Sequence, residues 1–169
     1  GLVCLSLDNG RELWRSDKAN GARAKPRQPG WSVATLVARD DSVLWADGRQ
    51  LRVFASGDGK LLWSCSCRPG FKSPVDLFVV GGLMWFGPGF TEGRDLKTGE
   101  VKKRSSVSAD LQTAGHHHRC YRNKATDRYI MTGKRGIEFI DIDGTQHSRN
   151  NWLRGLCQYG IMPCNGLIY

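Results

Sequence analysis

The sequence predicts an all-β fold, a partial β-propeller of about three to four four-stranded antiparallel blades. Three observations carry that prediction. First, polar turns closed by glycine recur at Gly10, Gly59 and Gly99, in Leu7-Asp8-Asn9-Gly10, Ser56-Gly57-Asp58-Gly59 and Asp95-Leu96-Lys97-Thr98-Gly99. A fourth turn, Asp141-Ile142-Asp143-Gly144, continues the series. A period of roughly 40–50 residues holding several short strands is the mark of one sheet per blade. Second, a tryptophan stands four residues after two of these glycines, at Trp14 and Trp63. Third, the runs between the turns are short and apolar, with no helical period competing.

The elements follow in order. Residues 1–7 and 11–15 read as a hairpin around Gly10. Residues 16–30, with Asn20-Gly21, Pro26 and Pro29, read as a loop between blades. Strands are then predicted over 31–38, 42–46, 50–55 and 60–66. Asp47-Gly48 is a two-residue hairpin turn in this unit. Residues 75–80, 82–86, 90–96 and 100–104 form the next unit, punctuated by Gly81-Gly82 and Pro88-Gly89. A third unit takes 117–122, 128–132, 136–142 and a poor fourth strand over 145–148. Residues 156–161 and 166–169 open a further one. The whole chain, 1–169, is thus one propeller domain with blade boundaries near 16–30, 67–74, 105–116 and 149–155. It is expected to start in the second half of one blade and to stop in the first half of another.

Composition supports a packed domain. The chain has 169 residues, 40 % hydrophobic and 24 % charged, with 21 glycines for its many turns. No apolar run approaches the roughly 20 residues that span a bilayer. No secretory signal is visible after Gly1, so any targeting segment is expected outside this chain. Net charge is +9, but the basic residues are scattered. The densest runs are Lys102-Lys103-Arg104 and Arg23-Ala24-Lys25-Pro26-Arg27, without the aromatic accompaniment of a nucleic-acid site. A solvated basic surface is the expectation, and nucleic acid is not the expected partner.

The Gly-to-Trp spacing of Gly10–Trp14 and Gly59–Trp63 resembles the repeat of pyrroloquinoline-quinone (PQQ)-like propellers. In that repeat a small residue and an Asp precede a Thr-Gly turn, and a Trp on the outer strand packs between blades. Asp95 and Thr98-Gly99 match it, with Lys103 where Trp is expected; Ser6 and Ala55 stand in the Asp position elsewhere. The resemblance extends over nearly the whole chain. The stretch from Gly115-His116-His117-His118-Arg119-Cys120 to Pro163-Cys164-Asn165-Gly166 looks like a segment of large bacterial PQQ-like repeat proteins, some of which join the propeller to a catalytic domain. The resemblance implies a module of a larger protein, a protein or neighbouring-domain partner, and a periplasmic or cell-envelope location.

The chemistry-bearing residues are few. Quinoprotein dehydrogenases of this repeat use a disulfide between adjacent cysteines, a calcium site and an Asp base. Here Cys65-Ser66-Cys67 has an intervening residue, and no acidic cluster of calcium-site density occurs. No cofactor is therefore expected; PQQ, or a metal or haem, is the alternative. In an extended strand His116, His118 and Cys120 would share one face, a donor set suited to zinc, copper or haem iron. The competing reading is a polar loop entering a blade. Six cysteines allow three disulfides. Cys4 reads as a small apolar residue. Cys65 and Cys67 would stand roughly 6.5–7 Å apart in a strand, the outer limit for a bond. The favoured bond falls among Cys120, Cys157 and Cys164. Asp141 and Asp143 read as turn formers, and Trp31, Trp45 and Trp85 as core. No G-x-S-x-G, H-E-x-x-H or Walker loop occurs. The expected function is a binding scaffold, not catalytic in this segment alone. The alternative is part of a quinoprotein oxidoreductase or a metal- or haem-bearing propeller.

Overall fold

Four-residue turns and short alternating runs set the architecture. The computed structural model describes residues 1–16, 33–106, 117–118 and 120–169, and the regular structure among them is entirely β. A hairpin of β1 (Val3–Leu5) and β2 (Glu12–Arg15) comes first. Blade one is β3 (Thr35–Arg39), β4 (Ser42–Ala46), β5 (Gln50–Ala55) and β6 (Leu61–Ser66). Blade two is β7 (Leu77–Val80), β8 (Leu83–Phe86), β9 (Glu92–Asp95) and β10 (Val101–Arg104). Blade three is β11 (Lys124–Ala125), β12 (Tyr129–Thr132), β13 (Ile137–Asp141) and β14 (Ser148–Asn150). A second hairpin, β15 (Pro163–Cys164) and β16 (Leu167–Ile168), follows. Each blade is a meander in which every strand pairs with its sequence neighbour, antiparallel. The chain is a partial β-propeller.

The blades stack through apolar faces. Leu44, Ala46, Leu51 and Val53 of blade one pack with Val75, Leu77 and Met84 of blade two. Trp85 and Phe90 of blade two pack with Ile130, Ile140 and Ile142 of blade three. Met131 and Ile137 then meet Ile161, with Ile168 against them. Each buried side chain of this size contributes about 1.5–3 kcal/mol, so stacking rather than the hairpins themselves holds the blades together.

The repeat turns share one geometry. The N–H of Gly10, Gly59 and Gly99 donates to the carbonyl of Ser6, Ala55 and Asp95, at 2.9, 3.0 and 3.0 Å. Asn9, Asp58 and Asp95 accept backbone N–H groups inside these turns. The outer-strand tryptophans then clasp the next turn along. The Trp14 indole N–H donates to the Ser56 carbonyl at 2.7 Å, and that of Trp63 to Leu96 at 2.9 Å. In both pairs the ring lies where a Cβ on the turn glycine, Gly59 or Gly99, would stand.

Several expectations need correction. Residues 117–122 were expected to be the inner strand of blade three, but that strand is β11, at 124–125. The Asn123 N–H goes to Asp76 and the Cys120 carbonyl accepts from the Gln158 N–H, so these backbone groups do not pair with the neighbouring strand. Residues 156–161 form a turn instead of a strand: the Gly160 N–H donates to Leu156, and Gln158 and Gly160 have φ of 75°. The last strand of blade three starts at 148 rather than 145. Trp85 is core, but Trp45 is only half-buried, with the Arg52 guanidinium 5.1 Å above its ring. Trp31, the basic run 23–27, His116, most of 16–30 and most of 105–116 lie outside the described residues.

Candidate functional site at the inner opening

Three blades meet at the starts of their first strands. Thr35 opens β3, Asp76 immediately precedes β7, and Arg122 lies just before β11. The Thr35 hydroxyl donates to the Val75 carbonyl at 2.6 Å and accepts from Arg122 Nη1 at 3.0 Å. Arg122 Nε sits 2.9 Å from Asp76 Oδ1, and the Asn123 N–H donates to Asp76 Oδ2 at 2.9 Å. The Asn123 N–H is therefore committed to Asp76 of blade two, and pairing with β12 begins only at Lys124.

Asp76 is buried, its side chain 5 % exposed, whereas the Arg122 side chain is 44 % exposed. Burial pushes the Asp76 carboxyl above the usual carboxylate range; the Asn123 N–H, Arg122 and Lys124 oppose that push. The outward part of Arg122 lines a cleft of about 250 Å³ together with Lys72, Ser73, Pro74, Cys120, Tyr121 and Gln158. Lys72 holds its ammonium 5.6 Å from the Phe71 ring, and Phe71 in turn meets His117 at 4.2 Å between centroids. The cleft is thus cationic, with an aromatic edge beside it.

Part of the far wall comes from Gln158, in the turn of residues 156–160. The Tyr121 ring packs against Gly155 and Gly160. The Gln158 N–H donates to the Cys120 carbonyl at 2.8 Å, and the Cys120 and Cys157 sulfurs lie 2.7 Å apart. Burial raises the Cys120 thiol pKa, and the neighbouring Cys157 adds to the rise.

The predicted ligand set is placed as follows. His116 lies outside the described residues. His118 is not in a strand; its Nδ1 is buried without a hydrogen-bond partner among the described residues, and burial lowers its pKa, with Lys134 acting the same way. Glu138, close enough to oppose that shift, is committed to Thr132, Lys134, Arg135 and Gly136. Cys120 faces Cys157. Among the described residues no three His, Cys, Asp or Glu side chains form a metal-holding group. Cys67 sits in the core between blades one and two, its thiol pushed up to about 12 by burial. Cys65 is half-buried and unbonded.

Sequence reading missed Asp76 and Arg122. One signal was available: Asp76 is a lone carboxylate inside the apolar run Val75-Asp76-Leu77-Phe78-Val79-Val80. A charge in such a run calls for a partner, though nothing in the sequence says which one.

No family model matches the chain, and no curated protein sequence matches it. Solved structures do. BamB from Moraxella catarrhalis, a β-propeller, superposes with a TM-score of 0.63 at 12 % identity, over 98 % of this chain and 47 % of BamB. The computationally designed Ika4 protein superposes with a TM-score of 0.58 at 16 % identity, over 94 % of this chain and 90 % of Ika4. At such identities the likeness speaks for the fold. The chain spans about half the length of BamB.

Proposed function

We propose that this chain is a non-catalytic binding scaffold of PQQ-like repeats, whose inner opening receives an acidic segment of a partner protein or of a neighbouring domain. One observation carries the reading: Arg122 is held by Thr35 of blade one and Asp76 of blade two, yet 44 % of its side chain stays exposed and the residue lines the cleft. A guanidinium held this way is pre-organised, so little side-chain entropy remains to be lost when a carboxylate binds. Lys72 on the same cleft and the net charge of +9 favour an anionic segment and speed its approach. The fold is consistent with this role, since propellers present loops and openings on a rigid frame.

The test is fluorescence anisotropy with labelled synthetic peptides of matched length, rich in Glu and Asp, neutral, or rich in Lys. The acidic peptide should bind best, and its binding should weaken with added salt. Lys72→Gln and Arg122→Gln should each weaken it. Equal binding of the three peptides, or acidic binding indifferent to Lys72→Gln in a folded variant, would overturn the reading.

A further inference from the structure

We propose that Cys120 and Cys157 are a thiol–disulfide pair whose closure fixes the turn at residues 156–160 and with it Gln158, part of the wall of the inner cleft. The two sulfurs are 2.7 Å apart, closer than unbonded sulfur atoms rest. The backbones are already matched around them: the Gln158 N–H donates to the Cys120 carbonyl, and Gly155 and Gly160 flank the Tyr121 ring. Residues on both sides of Cys157 are thus held to Cys120 and Tyr121, and the two sulfurs need only a short further approach to bond. The residues Cys120 and Gln158 line the cleft directly, so the state of the pair decides how firmly that wall is held.

Exposure orders the chemistry. Cys157 is exposed and Cys120 is buried. With glutathione disulfide as oxidant, the Cys157 thiolate attacks one glutathione sulfur, forming a mixed disulfide and releasing one glutathione thiolate. The Cys120 thiolate then attacks Cys157 Sγ, forming the internal disulfide and releasing the second glutathione. Two cysteine S–H bonds are lost and two glutathione thiols are gained, so the two electrons and two protons pass to glutathione. Excess reduced glutathione reverses both steps, with Cys157 the accessible sulfur.

The experiment uses the 169-residue chain equilibrated in oxidising or reducing glutathione buffers, quenched with an alkylating agent and digested without reduction. Cleavage after Arg119 frees Cys120 from the upstream chain, and cleavage after Tyr159 separates Cys157 from Cys164. The expected product of the oxidised sample is a Cys120 fragment joined to a Cys157 fragment, lighter by two hydrogens than the pair. Cys164→Ser should leave this link intact and Cys157→Ser should abolish it. Hydrogen exchange supplies the second readout: the Gln158 amide should exchange more slowly in the oxidised chain than in the reduced one. Complete alkylation of Cys120 under oxidising conditions, a link from Cys157 to Cys164, or the same Gln158 exchange in both states would overturn the proposal.

Discussion

Lys103 Nζ lies 2.9 Å from the Asp143 carboxylate, across the joint between blades two and three. Lys103 follows Gly99 by the same interval at which Trp14 follows Gly10 and Trp63 follows Gly59. One device thus joins successive blades with two chemistries. The tryptophans give a ring over the next turn's glycine and an indole N–H to its carbonyl. The lysine gives an ion pair to a turn carboxylate that is mostly in solvent. An exposed pair contributes about 0–1 kcal/mol, while truncating a large aromatic packed between sheets costs about 3–5 kcal/mol. Trp63→Ala should therefore lower the urea midpoint far more than Lys103→Ala. Equal shifts would remove the asymmetry inferred between the two joints.

The glycines of the repeat separate backbone strain from crowding. Gly10 and Gly99 share a left-handed φ, 70° and 75°. A Cβ at Gly10 meets nothing within 4 Å, whereas at Gly99 it would sit 2.6 Å from the Trp63 ring. Gly10→Ala should cost only the backbone term, about 1–2 kcal/mol. Gly99→Ala should cost that and also displace Trp63, blue-shifting or weakening its hydrogen-bonded indole signal as the Leu96 contact is lost. Chemical denaturation of the two variants, with Trp fluorescence as the probe, checks both claims.

The fold was legible because the features that build it are local. Gly59 and Trp63 are four residues apart, and the turn, the outer strand and the blade period all follow from such short patterns. The site was not legible because its partners come from different blades. Thr35, Asp76 and Arg122 lie far apart in sequence and meet only because three first strands converge. The same cause misplaced the inner strand of blade three. Cys120-Tyr121-Arg122 has a strand-like alternation, but the Cys120 carbonyl accepts from Gln158 and the next N–H, of Asn123, goes to Asp76 rather than to β12. The Cys120–Cys157 contact falls within the expected set of Cys120, Cys157 and Cys164, yet choosing among them required the turn at 156–160.

Two buried aspartates should act on stability with opposite pH dependence. The hydrogen bond from Arg128 holds the Asp141 carboxyl below its ordinary value of 3.8, and the N–H groups of Asp143 and Gln146 help against burial. The folded state then binds fewer protons than the unfolded chain, so this stabilisation is full above that value and is lost as pH falls through the lowered pKa. Asp76 is shifted upward by burial. Its contribution is full below the unfolded value and is lost as pH rises through the raised pKa. Urea midpoints measured from about pH 3 to pH 7 should show Asp141→Asn removing an acid-side loss and Asp76→Asn removing a loss of opposite slope. Parallel difference curves for the two variants would contradict the assigned shifts.

The first hairpin should make this chain associate. β1 pairs only with β2 among the described residues, leaving an unpaired strand edge. Leu5, Leu7 and Leu13 on the same hairpin are exposed, Leu7 fully so. Beyond blade three, Trp152, Leu156 and Tyr159 are exposed as well. An open edge carrying apolar side chains is a template for pairing with another chain. Sedimentation velocity of the 169-residue chain should show mass rising with concentration. Lys at positions 5 and 13 should suppress that rise, because charge on an edge hairpin makes pairing costly while leaving the Trp14 clasp to Ser56 in place. Sedimentation as a monomer at every concentration tested, or association untouched by Leu5→Lys and Leu13→Lys together, would show that this edge is not the contact.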